Sequence, residues 1–171
     1  WLAFECAGKD MRASGFHLGL DGLILAKVGA PRVVTPPTAP KTVDGLVAQL
    51  KNGDVVERGV AALGLRDLGA GAQAALPALA AALQDADTGV RMTAADAIAR
   101  QGHGAIAVMD ALIAAGSVKG EDAHVQRSVA IALGGIGPDA AKALPMLAEL
   151  EKIPRVQATA ATAMRQIRKG Q

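Results

Sequence analysis

Apolar residues change their spacing once along this chain. In the first thirty positions they recur at every second residue: Leu2, Phe4 and Cys6, then Phe16, Leu18 and Leu20, with a phase shift at Asp21-Gly22 before Leu23 and Leu25. That alternation predicts a β-hairpin over residues 1–30, its strands joined by the turn formers GKDMRASG and bulged at the shift. Residues 31–41, PRVVTPPTAPK, hold four prolines and predict an extended linker. From Thr42 the apolar spacing becomes helical and the sequence repeats itself.

The repeat is visible in four aligned stretches: ERGVAALGL from Glu57, VRMTAADAI from Val90, VQRSVAIAL from Val125 and VQATAATAM from Val156, at intervals of 33, 35 and 31 residues. Upstream of three of them, Gly69, Gly102 and Gly137 each stand seven residues before an apolar helix opening, at Leu76-Pro77, Met109 and Leu144-Pro145. A period of this size predicts four helical hairpins, roughly 42–69, 70–102, 103–137 and 138–170. The first (A) helices are expected near Val43–Leu50, Ala72–Leu83, Ala105–Ala115 and Pro138–Leu150, and the second (B) helices near Val55–Leu68, Thr88–Gln101, Asp122–Ile136 and Arg155–Arg168. Thr42, Asp54 and Asp87 or Thr88 are the expected N-caps, and the three glycines the expected helix exits. Pro77 and Pro145 require their A helices to start late or to kink. The predicted fold is mostly α: an α-solenoid preceded by a short β-hairpin.

These units resemble HEAT repeats of the short, alanine-rich kind, on the strength of ALPAL at Ala75–Leu79, DADTGVRMTAADAI at Asp85–Ile98 and ALPML at Ala143–Leu147. The resemblance implies a polar ladder between neighbouring units, carried here by Asp54 with Arg58 and Asp87 with Arg91. It should break where Gln126 follows Asp122 and where Pro154 and Gln157 stand in the last unit. The first thirty residues resemble the closing strands of secreted jelly-roll or concanavalin-like β-sandwiches. That second resemblance implies an extracytoplasmic setting and a chain that continues a longer protein, for example as the accessory end of a carbohydrate-active one.

Composition sharpens the picture. Of 38 alanines, 32 lie from Thr42 onward, while aromatic residues make up 2% of the chain. Small side chains at Ala94, Ala95, Ala97, Ala130, Ala132, Ala160, Ala161 and Ala163 let helices approach, and Leu76, Leu79, Leu83, Ile98, Leu133, Leu147 and Met164 fill between them. From Thr42 to the end basic and acidic residues number thirteen each, a balance unlike that of a phosphate-binding surface, so no nucleic-acid partner is expected. No apolar run approaches the ~20 residues that span a bilayer, so no membrane association is expected either.

Candidate chemistry is thin. His17, His103 and His124 lack metal-ligand spacing, and Cys6 is the single cysteine. The pairs Asp85-x-Asp87 and Glu121-Asp122 precede B helices, where acids cap free N–H groups. GGIG at Gly134–Gly137 follows a helix, whereas a phosphate loop follows a strand. Ser117 and Ser128 have no placeable His and Asp, and Asp21 alone is a poor calcium site. No catalytic residue, metal or cofactor is therefore expected, and the chain reads as a non-enzyme.

What remains is a surface. In HEAT-like solenoids the B helices line the concave side, and the register points Val60, Leu63 and Asp67 into it, with Thr93, Asp96 and Arg100, then Ser128, Ile131 and Gly135, and finally Thr159, Thr162 and Gln166. Val60, Leu63 and Ile131 are apolar at outward positions, the mark of a contact patch for a protein partner unless the register is off by one residue. The hairpin edge offers a second route, self-association by strand addition.

Overall fold

A computed structural model describes residues 42–169. The expected hairpin over 1–30 and the linker over 31–41 lie outside these residues. Eight α-helices run in sequence among the described residues: α1 (Val43–Asn52), α2 (Val55–Leu68), α3 (Leu76–Ala82), α4 (Thr88–Ala99), α5 (Met109–Gly116), α6 (Ala123–Ile136), α7 (Leu144–Leu150) and α8 (Gln157–Arg168). They form four antiparallel pairs, with the even-numbered helices in one layer and the odd-numbered ones in the other.

Helix starts follow cap chemistry. Thr42 Oγ1 accepts the Gly45 amide at 3.2 Å, and Asp87 Oδ1 accepts the Val90 amide at 3.0 Å. Asp54 forms a full capping box with Glu57, each carboxylate taking the other's backbone N–H at 2.9 Å. Gly69 and Gly137 cap α2 and α6 with φ of 52° and 82°. Helix α4 is capped by Arg100, and Gly102, with φ of 53°, opens the turn two residues later. This region of φ is closed to most side chains.

The expected A helices begin too early. Gly69–Ala75, Gly102–Val108 and Pro138–Ala143 are 3₁₀ turns, and the α-helices start only at Leu76, Met109 and Leu144. Pro77 and Pro145 explain two of the three cases: each occupies the first turn of its helix, where its missing N–H has no partner to lose. The last B helix starts at Gln157 rather than Arg155, because its cap position is Val156, which offers no side-chain acceptor.

The core is continuous and built of aliphatics. Ala61, Ala62, Ala94, Ala95, Ala97, Ala130, Ala132 and Ala160 are fully buried, and Leu65, Ile98 and Leu133 occupy one column along the even-numbered layer. Ala161, the counterpart of Ala62, Ala95 and Ala130, is half-buried because no further described helix covers it. Neighbouring even-numbered helices pack closely along their lengths, whereas α1, α3, α5 and α7 touch one another at few points. A tightly packed layer joined to a splayed one bends the array towards the tight side. The even-numbered helices therefore line the inner, concave face.

Two glycines show how close the packing is. A Cβ on Gly134 of α6 would lie 3.0 Å from Ala163 Cα and 3.2 Å from its Cβ, so α6 and α8 would have to separate. Gly59 of α2 has nothing within 4 Å of the same position. Gly134→Ala is expected to destabilise by about 1–2 kcal/mol, overpacking outweighing the helix-propensity gain. Gly59→Ala should stabilise by about 0.5–1 kcal/mol. Urea melts of the two variants check the contrast, and equal signs for both would contradict the packing described.

Candidate functional site

The inner face inherits its chemistry from the stagger of neighbouring helices. Asp96 on α4 meets Ser128 on α6, 32 residues on, so α4 contacts α6 there about one turn before the aligned position. In the column Leu63, Asp96, Ile131 and Thr162 all but Asp96 are exposed, whereas Val60, Thr93, Ser128 and Thr159 are buried or half-buried. Leu63 is 39% exposed and Ile131 50%. Thr162, Gln166, Gly135, Asp67 and Arg100 are exposed, while Val60, Asp96 and Thr159 are half-buried.

Two expected surface residues are in fact buried: Thr93 and Ser128. Thr93 Oγ1 donates to the Gly89 carbonyl at 2.8 Å, and Ser128 Oγ donates to Asp96 Oδ1 at 2.5 Å. The stagger is the reason, and the 33-residue register alone does not reveal it. The sequence reasoning also missed Val55 and Val56, 46% and 56% exposed, because they precede the first aligned stretch at Glu57.

These side chains frame two shallow grooves. One, of about 300 Å³, lies between α2 and α4 and is lined by Val56, Val60 and Leu63 facing Val90, Met92 and Thr93. The other, of about 470 Å³, lies between α6 and α8 and is lined by Ile131, Gly135, Thr159, Thr162 and Gln166, with Ala99 beside them. The Asp96–Ser128 pair stands at the seam between them. Asp67 and Arg100 line neither groove.

A polar ladder runs along the loop edge, with partners different from those expected. Arg58 donates to Asp85 of the next unit through Nε at 2.6 Å and Nη2 at 2.9 Å, and to the Gly53 carbonyl at 3.1 Å. Arg91 donates to Glu121 of the following unit at 3.1 and 2.9 Å, and to the Asp85 and Ala86 carbonyls at 2.8 and 3.0 Å. Asp54 and Asp87 instead cap their own helices, each through Oδ1. Asp122 likewise accepts the His124 amide at 2.8 Å. Of each acid pair, one member caps and the other receives an arginine.

The rungs shift titration. The hydrogen bonds from Arg58 hold the Asp85 carboxyl below its ordinary value against the opposing effect of burial, and the same contact raises Arg58. Glu121 raises Arg91 in turn. Because the native pKa of Asp85 lies below its unfolded value, the stabilisation is complete above the unfolded carboxylate pKa and is lost as pH falls through the native one. Asp85→Asn is expected to flatten the acid limb of a stability–pH curve below pH ~4. An unchanged slope would show that the rung does not contribute.

Among the described residues no three of His, Cys, Asp and Glu gather as a metal site, and no helix is long and apolar enough to cross a membrane. His103 Nδ1 stands 3.1 Å from the Ile136 carbonyl and 3.8 Å from Asp139, a tie between units. His17, Cys6 and Asp21 lie outside the described residues.

Paired helices, tight even-layer packing and an inner face free of clustered titratable groups define a helical repeat array. Residues 43–117 match the family model of HEAT repeats, and the repeat region is HEAT-like. The chain is similar to the structure of human deoxyhypusine hydroxylase in complex with glycerol: 25% identity over 79% of this chain and 46% of that one, with a TM-score of 0.61. It is also similar to an engineered protein, at 27% identity over 73% of this chain and 62% of the other, with a TM-score of 0.57. It thus spans less than two thirds of either structure's length. No curated protein matches the chain.

Proposed function

We propose that the repeat array is a non-catalytic interaction module that holds a protein partner against its inner face. The observation that carries this reading is the exposure of Val56, Leu63 and Ile131 on the one layer whose helices are otherwise tightly packed. Large aliphatics left in water beside grooves cost free energy unless something covers them, and a partner's apolar side chains would do so. The Asp96–Ser128 pair would place a polar contact between two apolar ones, a spacing that favours an extended or helical segment over a compact small molecule.

A photo-crosslinking amino acid placed at Leu63 or at Ile131 should capture a discrete partner from cells expressing the chain. The same group at Lys142, on the 3₁₀ turn entering α7, should not. A double variant, Leu63→Asp with Ile131→Asp, is expected to reduce recovery of that partner at least about tenfold, since each buried charge costs well over the 1.4 kcal/mol that a tenfold loss represents. Equal capture from all three positions, or unchanged recovery with the double variant, removes the inner face from consideration.

A further inference from the structure

The thirteen basic and thirteen acidic residues from Thr42 onward are unevenly spread. Helices α2 and α4 of the inner layer hold three of each: Arg58, Arg66 and Arg91 against Glu57, Asp67 and Asp96. Helix α6 and residues 155–169, which include α8, hold Arg127, Arg155, Arg165, Arg168 and Lys169 and no acid. The inner layer is therefore neutral over its first two helices and carries five positive charges over its last two.

Pairing follows the same division. Arg58, Arg66 and Arg91 each lie within 4 Å of a carboxylate, whereas none of the other five does so with a described residue. All five are exposed. In the flanking turns Glu121 is taken by Arg91, Asp122 accepts the His124 amide, and Glu151, the C-cap of α7, pairs with none of them. Arg165, Arg168 and Lys169 oppose the negative end of α8, an ordinary role for basic residues. That role does not extend to Arg127, in the second turn of α6, or to Arg155, at the positive end of α8. Arg127 lies one turn before the exposed Ile131 on the same stripe of α6. Arg165 follows by three residues Thr162, which lines the groove between α6 and α8.

We propose that the segment held by the inner face is an acidic peptide, with aliphatic side chains at one end covering Val56 and Leu63 and carboxylates at the other meeting Arg127, Arg155 and Arg165. The inference rests on the inner face being the binding surface and adds the chemistry and direction of what binds there. Neighbouring even-numbered helices lie about 8–10 Å apart, so the path from α2 to α8 is roughly 24–30 Å, or about eight to nine extended residues. Charge complementarity at one end of that path steers encounter and fixes the direction in which the segment lies. A nucleic acid would be drawn to the same charges but has no aliphatic group for Val56 and Leu63. The chain's three aromatic residues, on which bases would stack, lie outside the described residues.

The probe is a displayed library of random peptides of about twelve residues, enough to span the path, panned against the full chain at ~0.15 M salt. Recovered sequences should be enriched in Asp and Glu and carry aliphatics towards one end. Arg127→Gln with Arg165→Gln, both at exposed positions, should remove the acid enrichment and keep the aliphatic one. A recovered peptide, labelled and titrated, should bind this double variant at least about threefold more weakly, as two exposed ion pairs supply. Aliphatic enrichment without acids, or acid enrichment that survives the double variant, overturns the acidic partner and leaves the inner face standing as a binding surface. No enrichment of either kind, or enrichment unaffected by Leu63→Asp with Ile131→Asp, overturns both. Tighter binding of a single-stranded oligothymidine than of the recovered peptide would assign the charge to nucleic acid and overturns the proposal as well.

Discussion

Leu133→Ala is expected to lower the unfolding free energy by about 3–4 kcal/mol, the middle of the range for truncating a buried leucine. Leu133 is fully buried in α6, which packs against α4 on one side and α8 on the other. The two packed helices are rich in fully buried alanines, Ala130 and Ala132 on α6 and Ala94, Ala95 and Ala97 on α4. Alanine has no rotamer to swing into a void, so the cavity should persist and its full cost be felt. A repeat array also couples through nearest neighbours, so weakening a central interface should split the transition. Urea unfolding followed by circular dichroism should show a lowered midpoint and a broadened or two-step curve. A loss under about 1.5 kcal/mol with a sharp single transition would mean that the seam relaxes as a larger-residue core can.

How far the sequence foretold this depends on the physical range of each interaction. Helix pairs, their order and their caps at Thr42, Asp54 and Asp87 follow from local rules that act within one turn, and they were legible. The 3₁₀ entries into α3, α5 and α7 were legible at Pro77 and Pro145 but not at Ala105–Met109, where no proline marks the same geometry. The inner face was legible only as a column. Leu63 and Ile131 emerge from it as expected, whereas Thr93 and Ser128 sink into seams because adjacent helices are offset by about one turn. An offset between helices is a tertiary quantity that no single-helix periodicity contains. The ladder fails in the same way: the arginines were identified, but each reaches forward to the next unit's acid at Asp85 or Glu121 and not to its own cap. The family match stops at residue 117, close to where the ladder ends, and the units beyond keep the helical pairing while dropping the arginine.

Arg91→Ala should cost about 2–3 kcal/mol, and the reason is what it leaves behind. Arg91 is the most heavily engaged side chain on the loop edge: it bridges two units and also serves the Asp85 and Ala86 carbonyls and Thr88 Oγ1. Its partner Glu121 is only 7% exposed. With the guanidinium gone, that carboxylate keeps one backbone amide, from Asp122 at 2.8 Å, and loses its countercharge, while the two carbonyls depend on water. Removing both ends tests this account. Arg91→Met with Glu121→Leu takes away the stranded charge together with the ion pair and should recover at least half of the loss, as buried pairs replaced by aliphatics commonly do. A double-mutant cycle by urea unfolding reads the coupling. If the double variant is as unstable as the two single losses added together, the rung acts through separate contacts rather than as a pair, and the ladder is not the device that ties one helical hairpin to the next.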